Sequence, residues 1–118
     1  MRLGDIKAKQ AVFQAVDPVY GEKIEDVKIT FKPRSDVEAY EKFSLQISGG
    51  GLDTAEGIAK AFFGILESGK MGGYEFNAQG LQALLESPDS AFIGEQLVGF
   101  FTDKSNFFQV AKPKTKKA

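Results

Sequence analysis

The side chains available for chemistry here are carboxylates, hydroxyls and amines, because the chain contains no His and no Cys. The commonest general base and the commonest thiol nucleophile are thereby missing, as are disulfides and thiolate zinc sites. Metal binding falls to carboxylates alone. Glu22, Glu25 and Asp26 cluster, but without the alternating acids, central Gly and closing Glu of a calcium loop, so they read as a solvated face. No carboxylate pair stands out for glycosidase-like acid–base work. The Ser48-Gly49-Gly50-Gly51 run invites a phosphate loop, which needs a Gly-Lys-Ser/Thr ending after a strand. Gly51 leads instead to Leu52-Asp53, where an acid repels phosphate, and the run reads as a linker. No catalytic, metal-ligating or cofactor-binding residue emerges, and the expectation is a non-enzymatic protein without a cofactor.

Nucleic-acid modules often interleave exposed aromatics with basic residues on strands. Phe13, Tyr20 and Phe31 with Lys28 and Lys32 could be arranged that way, but it is more economical that Phe31 faces a core while the lysines face water. Charge points the same way. Residues 1–108 carry eleven basic and sixteen acidic side chains, a balance of −5, whereas Lys112, Lys114, Lys116 and Lys117 give the last ten residues +4. A body of that sign does not favour phosphate backbones. At 118 residues, with 42% hydrophobic and 26% charged side chains, the chain reads as one globular domain over 1–108 and a disordered basic tail over 109–118. No apolar run approaches the roughly 18–20 residues of a membrane span. Met1-Arg2-Leu3-Gly4-Asp5 lacks a signal-peptide core. The expectation is an intracellular, cytoplasmic protein with no membrane partner.

The elements that would position a surface can be read from periodicity. Val12 and Phe13 lie in a first strand over 9–16, and Asp17-Pro18-Val19-Tyr20-Gly21 has turn chemistry. Val27, Ile29 and Phe31 alternate with Lys28, Thr30 and Lys32, which marks a strand with one apolar face, ended by Pro33. An isolated hairpin is marginal in water, so its apolar face needs cover. Residues 35–47 read as a short helix through Glu41, capped by Ser35 or Asp36, then a third strand with Phe43, Leu45 and Ile47 alternating. Asp53-Thr54-Ala55-Glu56 resembles a capping box for a helix to about Ser68, with Ile58, Phe62, Ile65 and Leu66 as its buried stripe and Gly69 at the left-handed position beyond its end. Gly57 and Gly64 each weaken that helix by roughly 1 kcal/mol relative to Ala, but admit close approach of another backbone. Asn77 caps a helix carrying Leu81, Leu84 and Leu85. Ser87-Pro88-Asp89 reads as the start of a last helix, with Ser as cap and Pro at its first position. That helix presents Phe92, Ile93, Gln96, Leu97, Phe100 and Phe101. The fold class is α+β: an N-terminal β-hairpin or three-stranded antiparallel sheet packed on three to four helices.

Six of the eleven Phe lie between Phe76 and Phe108, and the order of motifs around them is suggestive. Phe76-Asn77, Leu81 to Leu85, Ser87-Pro88-Asp89, Ala91-Phe92-Ile93, Glu95-Gln96 and Asp103-Lys104-Ser105-Asn106-Phe107-Phe108 together resemble the tail assembly chaperones of long-tailed, non-contractile phages. The resemblance covers residues 54–108. Where many relatives carry Trp, this chain has Tyr74 and Phe92 and no Trp. The resemblance implies a non-catalytic protein of virion morphogenesis that coats the long, helical tape-measure protein and keeps it soluble until tail-tube subunits replace the coat. Many weak copies along one such partner would gain by effective concentration and self-association. An amphipathic helical partner is held by an apolar groove facing its stripe.

The aromatics without an obvious core duty are Phe63, Tyr74, Phe107 and Phe108, and these are the candidate partner contacts. On that reading, Ser at 107 and 108 weakens partner solubilisation and leaves the fold intact. Two other readings remain: a virion structural part such as a tail-tube or head–tail joining protein, and a small single-stranded nucleic-acid binder.

Overall fold

A computed structural model of the chain describes residues 1–111. In chain order the elements are β1 (Ile6–Ala8), β2 (Val12–Val16), β3 (Lys23–Phe31), α1 (Val37–Ser48), α2 (Ala55–Phe63), β4 (Leu66–Met71), α3 (Ala78–Glu86), α4 (Phe92–Thr102) and β5 (Phe108–Val110), with 3-10 turns at Leu3–Asp5 and Lys104–Asn106. The fold is α+β. Strands β2, β3 and β4 form an antiparallel sheet in that order, and β1 pairs with β5 in a separate two-stranded ribbon.

The hairpin forms as its alternation dictates. Phe13 faces Ile29, and Phe13, Ala15, Val27, Ile29 and Phe31 are all buried. The connection is fixed by Asp17, whose carboxylate accepts from the amides of Val19, Tyr20 and Glu22 at 2.9, 2.6 and 2.7 Å. Those bonds, the Tyr20 amide foremost, hold its pKa below the ordinary carboxylate value. Gly21 closes the turn at φ +75°, a conformation that suits only Gly without strain.

The third strand does not come from residues 43–47. A single helix, α1, runs through them, capped by Asp36, whose carboxylate accepts from the Ala39 amide at 3.2 Å. The reason is visible in the spacing: Tyr40, Phe43 and Ile47 share the inward face at i, i+3 and i+7, while Leu45 falls outside it and is 75% exposed. The third strand is instead β4, over residues expected to finish a helix. Helix α2 stops at Phe63, and Ile65 and Leu66 are buried as the chain enters the sheet. Leu66 pairs with Phe31, Gly69 with Ile29 and Met71 with Val27. Gly69 is therefore a strand glycine. A Cβ there would lie 2.6 Å from the Lys28 carbonyl oxygen and 2.8 Å from Ile29 Cα, so its role is close packing against the neighbouring strand.

Two helix starts also differ from expectation. Thr54, not Asp53, caps α2 by accepting from the Gly57 amide at 3.0 Å. Ser87 is not the cap of the last helix: it ends α3, residues 88–91 form a turn, and α4 begins at Phe92 without a side-chain cap. Asn77 does cap α3, accepting from the Gly80 amide at 2.7 Å.

Helix α4 meets β2 through the edge-on contact of Phe100 with Phe13 at 5.5 Å and through a polar clamp. Gln96 Oε1 accepts from the Val16 amide at 3.0 Å, and Gln96 Nε2 donates to the Val16 carbonyl at 2.8 Å. Val16 pairs with Lys23 and lies on the outer edge of β2, where no further strand joins the sheet, so the clamp satisfies backbone groups that the sheet leaves open. The carbonyls at the register shift are met instead by Gln14 Nε2, which donates to Ala15 and Ile24 at 2.8 Å each. Gln96→Ala is expected to destabilise the fold by about 1–3 kcal/mol, because both Val16 groups lose their partner in a half-buried setting. A lowered urea midpoint at unchanged slope would show it.

The ordered chain also runs further than residue 108. Gln109 and Val110 pair with Lys7 and Ile6, and the Ala111 amide donates to the Asp5 carbonyl at 2.7 Å. The start of the expected tail is thus part of the fold. Its lysines, Lys112, Lys114, Lys116 and Lys117, lie outside the described residues.

Candidate partner-binding surface

The four aromatics singled out by sequence have different surroundings. Phe107 is 1% exposed and belongs to the core. Its ring meets Phe31, Phe100 and Phe101 edge-on, at centroid distances of 5.2, 5.7 and 5.4 Å. The preceding 3-10 turn drives it inward. Asp103 accepts from the Ser105 amide and hydroxyl at 3.1 and 2.7 Å, bonds that lower its pKa, and Asn106 Nδ2 donates to the Phe100 carbonyl at 2.8 Å. The polar Asp103-Lys104-Ser105-Asn106 run is thus the hinge that inserts Phe107, not a marker of a sticky end. Phe107 is corrected from partner contact to core.

Phe63 is half-buried on α2, with Phe76 against it at 5.0 Å. The pair forms a satellite of the core joining α2 to the segment before α3. Tyr74 stands at the turn after β4, bridged to Met71, and is 38% exposed. Phe108 is half-buried beside Phe107 at the start of β5.

Phe107 and Phe108 are brought together around a residue that sequence reasoning passed over. Arg34 lies in a box of rings: its guanidinium carbon is 4.4 Å from the Tyr40 centroid, 4.9 Å from Phe107, 5.5 Å from Phe108 and 5.6 Å from Phe101. Pro33 ends β3 and the turn before α1 points Arg34 into this box. Cation–π attraction of about 0.5–2 kcal/mol per good ring contact holds it. Rings, however, accept almost no hydrogen bond from a guanidinium. Among the described residues no carboxylate pairs with Arg34, and its Nε is buried without a partner. Tyr40 spends its own hydroxyl elsewhere, donating to the Lys32 carbonyl at 2.7 Å. Its pKa is raised, chiefly by burial, against the opposing pull of Arg34.

Arg34 opens onto a groove of roughly 480 Å³ bounded by Val37, Tyr40, Glu41, Ser44 and Leu45. Val37 is 57% exposed and Leu45 75%. They stand eight residues apart on one side of α1, about 12 Å along its axis. A single helix over 37–48 displays this stripe: Val37 lies next to the inward Tyr40, and Leu45 lies further round, away from Phe43 and Ile47. Isolated exposed apolar side chains are ordinary. Two on one helix face, next to a groove and an unpaired cation, form a surface.

No helix among the described residues is long and apolar enough to cross a membrane, and among them no group of three or more acidic side chains could hold a metal ion. Comparison with protein-family models, with curated proteins and with solved structures gives no match to this chain.

Proposed function

We propose that this protein is a tail assembly chaperone of a long-tailed, non-contractile phage, a non-catalytic binder that keeps the tape-measure protein soluble in the host cytoplasm until tail-tube subunits replace it. The observation that carries the reading is the outward face of α1. It offers Val37 and Leu45 to solvent along a shallow groove, the form of surface that receives the apolar stripe of an amphipathic helix. The identity of the partner rests on the resemblance over residues 54–108. The motif residues behind that resemblance act as scaffold: Asn77 caps α3, Gln96 clamps β2, Asn106 closes α4 and Phe107 fills the centre. Helix α1 itself packs through Phe43 on Phe62 and Phe101, which leaves its outer face free for a partner.

The test is co-expression with the tape-measure protein of the same genome. The tape measure is expected to move from the pellet into the soluble fraction and to co-purify with this chain. A tape measure that stays insoluble beside well-folded chaperone rejects the reading. Recovery of the chain as a stoichiometric part of purified virions would instead support a tail-tube or head–tail joining component.

A further inference from the structure

We infer that the groove between Arg34 and the outer face of α1 docks an amphipathic partner helix carrying a carboxylate at the edge of its apolar stripe, with Arg34 pairing that carboxylate and Val37, Tyr40 and Leu45 receiving the stripe. The inference rests on the helix-binding function proposed above and assigns that function a surface and a charge preference.

Charge complementarity selects this occupant. A guanidinium presents five N–H donors in a planar fork. Among the described residues Arg34 donates no side-chain hydrogen bond and forms no ion pair; its Nε is shut away from water, and so from a docked partner, which leaves the terminal Nη groups to take the carboxylate. The rings of Tyr40, Phe101, Phe107 and Phe108 fix the position of the fork without satisfying it. A carboxylate matches it in shape and charge, and a preordered Arg loses little freedom on pairing. Glu41 lines the same groove on α1. It repels a second acid, so the partner's carboxylate is confined to the Arg34 end and the docked helix has one polarity. Val37 and Leu45, two helical turns apart, match apolar residues at i and i+7 of the partner.

The experiment titrates the ¹⁵N-labelled full chain with two synthetic 18-residue helical peptides. Both carry the same Leu stripe and differ only in having Glu or Gln at the stripe edge. Amide shifts are expected across residues 34–48, with the Glu peptide binding about tenfold tighter than the Gln peptide. Arg34→Met keeps an unbranched stem on the rings and is expected to abolish the difference between the peptides. Leu45→Asp, at a side chain already in water, is expected to weaken both by about tenfold or more. If Arg34→Met fails to fold, the Glu/Gln comparison on the wild-type chain and the Leu45→Asp variant decide. Shifts that map elsewhere, equal affinity for both peptides, or no binding of either overturns the inference. The peptides contain no tape-measure sequence, so the two ideas fail separately. Wild-type co-expression that succeeds while the groove shows no binding keeps the chaperone and removes the groove. A Glu-dependent groove beside an insoluble tape measure does the reverse.

Discussion

Replacing Phe107 with Ala is expected to destabilise the protein by about 3–5 kcal/mol, the range for truncating a fully buried aromatic. Total stability for a domain of this size is about 5–15 kcal/mol, so the variant would lose a large share of its folded population on heating. Three rings pack on Phe107 edge-on within 5.7 Å. The cavity would open between the sheet, through Phe31, and α4, through Phe100 and Phe101, and those elements cannot both collapse into it. The loss reaches Arg34 as well, because one wall of its ring box disappears. Urea unfolding followed by circular dichroism checks the value, and Phe107→Leu should recover most of it. Phe108→Ser in the same series is expected to cost far less, since that ring is only half-buried. A melt of Phe107→Ala indistinguishable from wild type would return Phe107 to the list of partner contacts.

The contrast between two adjacent Phe shows where sequence patterning loses its grip. Strong periodicity was readable: Val27, Ile29 and Phe31 mark a strand, and Leu81, Leu84 and Leu85 mark a helix face, because both patterns are local and repeat. A Phe-Phe dipeptide after a polar run has no period, so only the geometry of the Asp103–Asn106 turn decides which ring goes inward. The third strand was misplaced for a related reason. Phe43, Leu45 and Ile47 satisfy a period of two by accident, since a helix also puts Phe43 and Ile47 on one side at i and i+4. Leu66–Met71 carries Glu, Ser, Gly and Lys in its middle, an edge strand with polar, exposed central residues, and such a strand sends almost no hydrophobic signal. Its assignment comes from pairing with β3, a long-range fact. The groove was illegible because it depends on α1 being one helix and on Arg34 lacking a counter-ion, and absence of a partner cannot be read from composition.

Helix starts supply the second large effect, and its sign runs against helix propensity. Gly57 and Gly80 occupy the third position of α2 and α3, where Thr54 and Asn77 accept from their amides. In both, the incoming loop crosses directly over the glycine: a Cβ at Gly57 would overlap the Gly51 carbonyl oxygen, and one at Gly80 the Glu75 carbonyl oxygen. The loop carbonyl, the cap and the bare Cα form one arrangement used twice. It explains why Thr54 and not Asp53 caps α2, since the cap must lie three residues before a glycine that the loop can cross. Ala gains roughly 1 kcal/mol over Gly in a helix interior. At position 80 that gain is opposed by overpacking of about 1–3 kcal/mol and by disturbance of a cap worth about 1 kcal/mol. Gly80→Ala is therefore expected to lower stability by about 1–3 kcal/mol. Gly99→Ala in α4 is the control, because a Cβ there meets nothing within 4 Å; it should raise stability by about 0.5–1 kcal/mol. Parallel thermal melts of the two variants give the answer through opposite signs for the same chemical change. Stabilisation by both would mean that the Glu75 carbonyl yields freely, and that the crossing loop follows from the cap without restricting the residue beneath it.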